Sequence, residues 1–131
     1  MTTVIQVQSS GETVEPGGGL TIEVPSGQPI TLLDVIWNVP GPLGMATRFR
    51  FLAPAIARGE GSVDFEVAAA DMMHLCQNFA RPKVLGADLA PTQIIISLSD
   101  RDVPFGQSDP DATQFFEAYR LENGACIWEV F

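Results

Sequence analysis

The sequence predicts an α+β domain: an antiparallel or mixed sheet of four or five strands, one long helix packed on one of its faces, and a C-terminal β-hairpin. Three observations carry this expectation. Phe65, Ala68, Met72, Leu75, Cys76 and Phe79 recur at spacings of three and four, which is one apolar stripe of a helix. Arg48-Phe49-Arg50-Phe51 alternates strictly and Ile94-Ile95-Ile96-Ser97-Leu98 is short, β-branched and apolar, two patterns that suit strands. Asn123-Gly124 then divides two β-prone runs, and both residues tolerate the positive φ of a two-residue hairpin turn.

Taken in order, residues 1–19 read as a flexible leader with a possible short strand at 4–7, because Ser9-Ser10-Gly11 and Pro16-Gly17-Gly18-Gly19 are punctuation. A single domain is expected over 20–131. Residues 20–24 alternate as a half-buried strand does, and Pro25-Ser26-Gly27 ends it in a turn. Thr31-Leu32-Leu33-Asp34 opens like a capped helix, whereas Val35, Ile36 and Trp37 suit a strand equally well. Residues 47–52 follow as a strand with its phenylalanines on one face and its arginines on a wet face. Ser62 or Asp64 caps the helix, Asp64 and Glu66 complement its positive end, and Pro82 stops it. Residues 94–98 form a central strand, 100–111 a polar loop, and 115–122 with 125–131 the hairpin.

A two-residue turn sets the hairpin register: Leu121 faces Cys126, Tyr119 faces Trp128 and Glu117 faces Val130. This mostly apolar face is the one expected to receive the helical stripe. Helix and hairpin periodicities therefore bring Cys76 and Cys126, the only cysteines, toward one interlayer core. Either they form a disulfide, closing a loop that stabilises the fold by about 4 kcal/mol, or they are two buried thiols acting as small hydrophobes.

With 131 residues, 46% of them hydrophobic and 18% charged, the chain has material for one packed core. The net charge of -9 repels phosphate backbones and anionic membranes, so nucleic acid is not an expected partner. No window is long and apolar enough for a membrane span, and Met1 to Ser10 lacks the features of an export signal. The location is therefore cytoplasmic, or periplasmic or secreted if a signal has been removed.

Few residues suggest chemistry. His74 is the only histidine, and Asp71 and Asn78 one turn to either side would orient it or else form an ordinary solvated face with it. Met72, Met73, His74 and Cys76 hold soft-metal ligand types, but adjacent helix residues diverge and the core claims two of them. Asp100, Asp102, Asp109 and Asp111 could gather calcium, yet the spacing is not an EF-hand and Asp109-Pro110-Asp111 reads as turn chemistry. Gly17-Gly18-Gly19 lacks the lysine and helix start of a phosphate loop. No catalytic residue, metal site or cofactor is assigned.

Arg48 and Arg50 project from one strand face, either to clamp an anion or to meet internal carboxylates such as Glu117 or Glu129. The hairpin's second face carries Phe116, Ala118, Arg120, Ile127, Glu129 and Phe131 and needs a partial cover, from the N-terminal segment or from another protein. The candidate ligand or partner surface is thus Arg48, Arg50, Phe116, Arg120, Ile127 and Phe131.

Val24-Pro25-Ser26-Gly27-Gln28-Pro29, Arg48-Phe49-Arg50-Phe51 with Ala53-Pro54-Ala55-Ile56-Ala57-Arg58, Ile95-Ile96-Ser97-Leu98-Ser99-Asp100-Arg101 and the stretch 109–131 together make a specific set of motifs. Over roughly residues 24–131 the chain resembles a family of small alphaproteobacterial proteins, a domain of unknown function. The resemblance implies export to the periplasm and a Cys76 to Cys126 bridge, and it brings no catalytic residues with it. The leading functional expectation is a non-enzymatic interaction or accessory module of the cell envelope. The alternative is a small-ligand-binding or hydrolytic protein using the Arg48/Arg50 face with the acidic loop 100–111 or His74.

Overall fold

The structure, a computed structural model, describes residues 6–7, 12–41, 44–59, 61–87, 93–104 and 106–129. The class is α+β as expected, but the sheet is larger. Six strands, β2 (Thr13–Pro16), β3 (Thr31–Gly41), β4 (Gly44–Leu52), β5 (Gln93–Ser99), β6 (Gln114–Glu122) and β7 (Ala125–Glu129), lie side by side in sequence order. A two-residue strand, β1 (Gln6–Val7), continues the edge beyond β2. All neighbours are antiparallel except β4 and β5, whose parallel pairing demands a crossover. The helical segment between them supplies it.

The strand count rises because Thr13–Pro16, within the expected leader, pairs with Asp34–Trp37. The glycines that follow do more than loosen the chain. Gly17 donates its N–H to Leu33 O at 2.9 Å, and a Cβ on it would sit 2.1 Å from Leu32 O, so only glycine fits. Residues 20–24 are extended but make no full strand. Ile22 donates to Ile30 O, Leu32 donates to Leu20 O, and an isolated bridge joins Thr21 to Thr31. Pro25 and Pro29 remove N–H groups that a longer ladder would need. The segment 31–37, open to two readings from sequence, is strand, because tertiary pairing on both sides outweighs its capping-box pattern.

Asp64 caps helix α1 (Phe65–Leu75), its Oδ1 accepting the Val67 N–H at 3.0 Å. Pro82 does not end the helix. The chain passes through a π-helical segment, Cys76–Ala80, and continues as α2 (Arg81–Leu85). Proline lacks the N–H for an i−4 bond and its ring crowds that carbonyl. The widened turn, in which Arg81 N–H reaches back to Cys76 O, takes up the misfit.

Ala68, Met72, Leu75 and Cys76 of the stripe are fully buried against Phe49, Phe51, Ile94, Ile96, Leu98 and Tyr119. Each such large side chain contributes about 1.5–3 kcal/mol of burial. Phe79 meets Phe49 and Phe51 edge to face, with centroids 6.0 Å away in both cases. Phe65 departs from the stripe: it is exposed and touches Phe115 at the rim. Asp71 also departs from its expected solvated place beside His74. It is buried, and it accepts hydrogen bonds from Ser26 N (3.0 Å), Ser26 Oγ (2.5 Å) and Gln28 Nε2 (2.7 Å). The 25–28 turn is thereby tied to the helix.

The hairpin register is the one that the two-residue turn dictates: Leu121 pairs with Cys126 and Tyr119 with Trp128, with Asn123 and Gly124 at positive φ. The expected pairing of Glu117 with Val130 lies outside the described residues. Cys76 and Cys126 form a disulfide, their Cα atoms 6.3 Å apart. Helix residues also close the edge strand, since Gln77 Oε1 accepts the Cys126 N–H at 3.0 Å and Arg81 Nη1 donates to Gly124 O at 3.1 Å.

Candidate functional site

The alternation that sends Phe49 and Phe51 under the helix sends Arg48 and Arg50 to the second sheet face. Cross-strand register carries this face outward in rows. Asp34, Arg50, Ser97 and Phe116 are neighbours in one row, Ile36, Arg48, Ile95 and Ala118 in the next, and Gln93, Arg120 and Ile127 in a third. The structure therefore gathers Arg48, Arg50, Phe116, Arg120 and Ile127 on one face, whereas Phe131 lies outside the described residues. The face is not wet as expected. Ile36, Ala46 and Gln93 are fully buried and Ala118 is nearly so, while Phe116 remains 62% exposed. The expected cover from the N-terminal segment is not seen over the hairpin: the described part of that segment, β1 and β2, joins the opposite edge of the sheet.

The two arginines differ in their commitments. Arg50 makes a fork to Asp34, Nε to Oδ1 at 2.7 Å and Nη2 to Oδ2 at 3.0 Å, and its Nη1 donates to Val103 O at 2.8 Å. Among the described residues Arg48 meets no carboxylate. Its Nε and Nη2 both donate to Ser97 Oγ, at 3.0 and 2.8 Å. Burial and the adjacent Arg50 charge pull the Arg48 pKa below its usual value, with Asp34 opposing them. The carboxylates expected to meet these arginines go elsewhere, Glu129 to Arg120 at 3.0 Å and Glu117 to the Trp128 indole N–H. Glu129 ends Arg48's own row but stands three strands away, beyond Ile95 and Ala118, and Glu117 lies on the helix face.

A cavity of about 110 Å³ opens between Arg48, Arg50, Ser97, Leu33, Val103 and Phe116. Ser97 and Asp34 were not singled out by sequence reasoning. The signal for Ser97 was present: it is the one hydroxyl between Ile96 and Leu98 in an apolar run, and its parity puts it on the arginine face.

The other candidates do not join this site. His74 sits on the helix layer, with the sheet between it and Arg48, and pairs with Asn78 Nδ2 at 3.1 Å. Cys76 is in the disulfide and Met72 in the core, so the soft-ligand set disperses. In the acidic loop Asp100 Oδ1 accepts the Thr113 N–H at 2.8 Å, and Asp109 Oδ1 accepts that of Asp111 at 3.0 Å, which is turn chemistry. The loop reaches Arg50 through the Val103 carbonyl. Among the described residues no three His, Cys, Asp or Glu side chains come together to hold a metal ion, and no helix is long and apolar enough to cross a membrane. A wider depression of about 700 Å³ lies between residues 56–65 and 112–115. It is shallow, and its charged side chains are occupied: Arg58 donates to Pro110 O and Ala112 O, and Asp64 caps α1.

Comparison with known proteins adds one match. A family model described as a family of unknown function (DUF6497) matches residues 3–131, which takes in β1 and β2 as well as the stretch that carried the resemblance. No curated protein and no solved structure matches the chain.

Proposed function

The chain belongs to the DUF6497 family of unknown function, and from that premise we propose that it is a non-enzymatic interaction module of the bacterial cell envelope, working through the second sheet face around Phe116 and Arg48. One observation carries this reading: an aromatic ring left 62% exposed stands beside a half-buried cation whose donors, among the described residues, reach only Ser97. Single exposed apolar residues need no explanation. A ring next to such a guanidinium is different, because a partner there gains apolar burial and charge-assisted hydrogen bonds together. Interfaces draw most of their binding energy from aromatic and arginine side chains over a water-free floor. Here that floor, Ser97 and Ala118, is buried.

The disulfide supports an oxidising compartment and so the envelope location. The net charge of -9 supports a protein partner over a nucleic acid. The test is capture from an envelope extract, read by native mass spectrometry. The expected pattern is a partner held by the wild type, lost with Phe116→Ala and kept with Leu85→Ala, which alters an exposed residue of the helix layer. A partner indifferent to Phe116→Ala, or no bound species at all, overturns the reading.

A further inference from the structure

We infer that the cavity between Arg48, Ser97 and Phe116 binds a monocarboxylate, with the acid group inside and the rest of the molecule lying along the Phe116 ring. The inference rests on the reading that this face is the working surface, and it names what that surface recognises.

The donor inventory comes first. A guanidinium has five N–H groups in a fixed fork, and among the described residues Arg48 directs donors only to Ser97, from Nε and Nη2. Its Nη1 is left to bind a guest. Ser97 Oγ receives both Arg48 donors and retains its own hydroxyl proton to give to an acceptor. Arg50 adds fixed positive charge at the wall while its fork is held by Asp34. Among the described residues Arg48 faces no carboxylate while Arg50 is forked to Asp34, and the single charge of Arg48 suits a monoanion better than a phosphate dianion.

Size and polarity agree. About 110 Å³ is room for roughly four water-sized groups, enough for a carboxylate and one or two carbons. Leu33, Val103 and Phe116 add apolar wall, and Ser99 and Gln114 add polar groups at the margin. The guest is then either a free short-chain acid or the C-terminal carboxylate of a peptide.

Both sources are tested on the full chain by NMR titration, following Arg48 Nε, the Ser97 amide and the Phe116 ring. The probes are butyrate, a tripeptide with a free C-terminus, its amide, and inorganic phosphate at equal ionic strength. Saturable shifts at those three residues with butyrate or the free-acid peptide are expected, weakened about tenfold or more in Arg48→Gln by loss of the charge-assisted contact. Ser97→Ala, which keeps the charge, is expected to weaken binding to a smaller degree. Butyrate and peptide binding alike mark the small acid as the guest; much tighter peptide binding, lost on amidation, marks the chain terminus. Absence of saturable shifts, shifts reproduced by phosphate, or equal binding by the amide overturns the inference. If these occur while partner capture still depends on Phe116, the interaction reading stands alone; if capture also fails, both fall.

Discussion

The Asp71 carboxylate is buried because three donors from the 25–28 turn converge on it. Hydrogen bonds to a charged group are each worth about 1.5–3 kcal/mol. Asp71→Asn turns one acceptor into a donor aimed at Ser26 or Gln28, and it is expected to cost about 2–3 kcal/mol and to open the turn. Urea unfolding and limited proteolysis near Ser26 check this, and an unchanged midpoint with an uncut turn refutes it. Asp100 carries a pH dependence. Partial burial works against its charge, but the Thr113 N–H and Arg101 outweigh it and hold the carboxyl below the usual range. A carboxyl whose folded pKa is depressed adds stability that is complete above its unfolded value, about 3.9, and is lost as pH falls through the folded one. Asp100→Asn can still accept the Thr113 N–H, so it is expected to flatten the loss of stability below about pH 4, measured by unfolding between neutral and acid pH. A parallel pH profile in wild type and variant counts against it.

Among the elements, the helix and the edge strand depend on each other. The π-helical turn forced by Pro82 carries Gln77, and Gln77 occupies the outward N–H of Cys126 while Arg81 takes the Gly124 carbonyl. The first half of β7 is closed to further strands in this way, one of the ways natural sheets protect an edge. Gln77→Ala is expected to destabilise by about 1 kcal/mol, the net worth of one hydrogen bond, and to speed hydrogen exchange at the Cys126 amide selectively. Equal protection in both proteins means that the edge is covered by something else.

For the molecule as a whole, the disulfide joins the helix layer to the last strand across 50 residues of chain. On the chain-entropy account that closure is worth about 4 kcal/mol, a large part of the total stability of a domain this size. Reduction is expected to add about 2 Da by mass, from the two thiol hydrogens of the opened bridge, and to lower the denaturation midpoint by a corresponding amount. A protein whose midpoint ignores reductant has a core that does not need the bridge. Held together, the layers leave the second sheet face as a place where a cation, a small cavity and an exposed ring coincide.

Local pattern determined much of this. The 3.6-residue stripe from Ala68 to Phe79, the alternation at Arg48 to Phe51 and the Asn123-Gly124 turn each encode their own geometry within a few residues, and from them followed the helix, a strand, the hairpin register and the approach of Cys76 to Cys126. Parity along β4 also placed both arginines on one face. Only the tertiary structure decided what those arginines meet, because Asp34 and Ser97 reach them across strands 16 and 49 residues distant in sequence. It likewise decided that Thr13–Pro16 is a strand and that Asp71 is buried, each of which depends on a partner that the local sequence does not contain. Periodicity reports which face a side chain is on; whether that face is wet, and which opposite group arrives there, is set by contacts between distant segments.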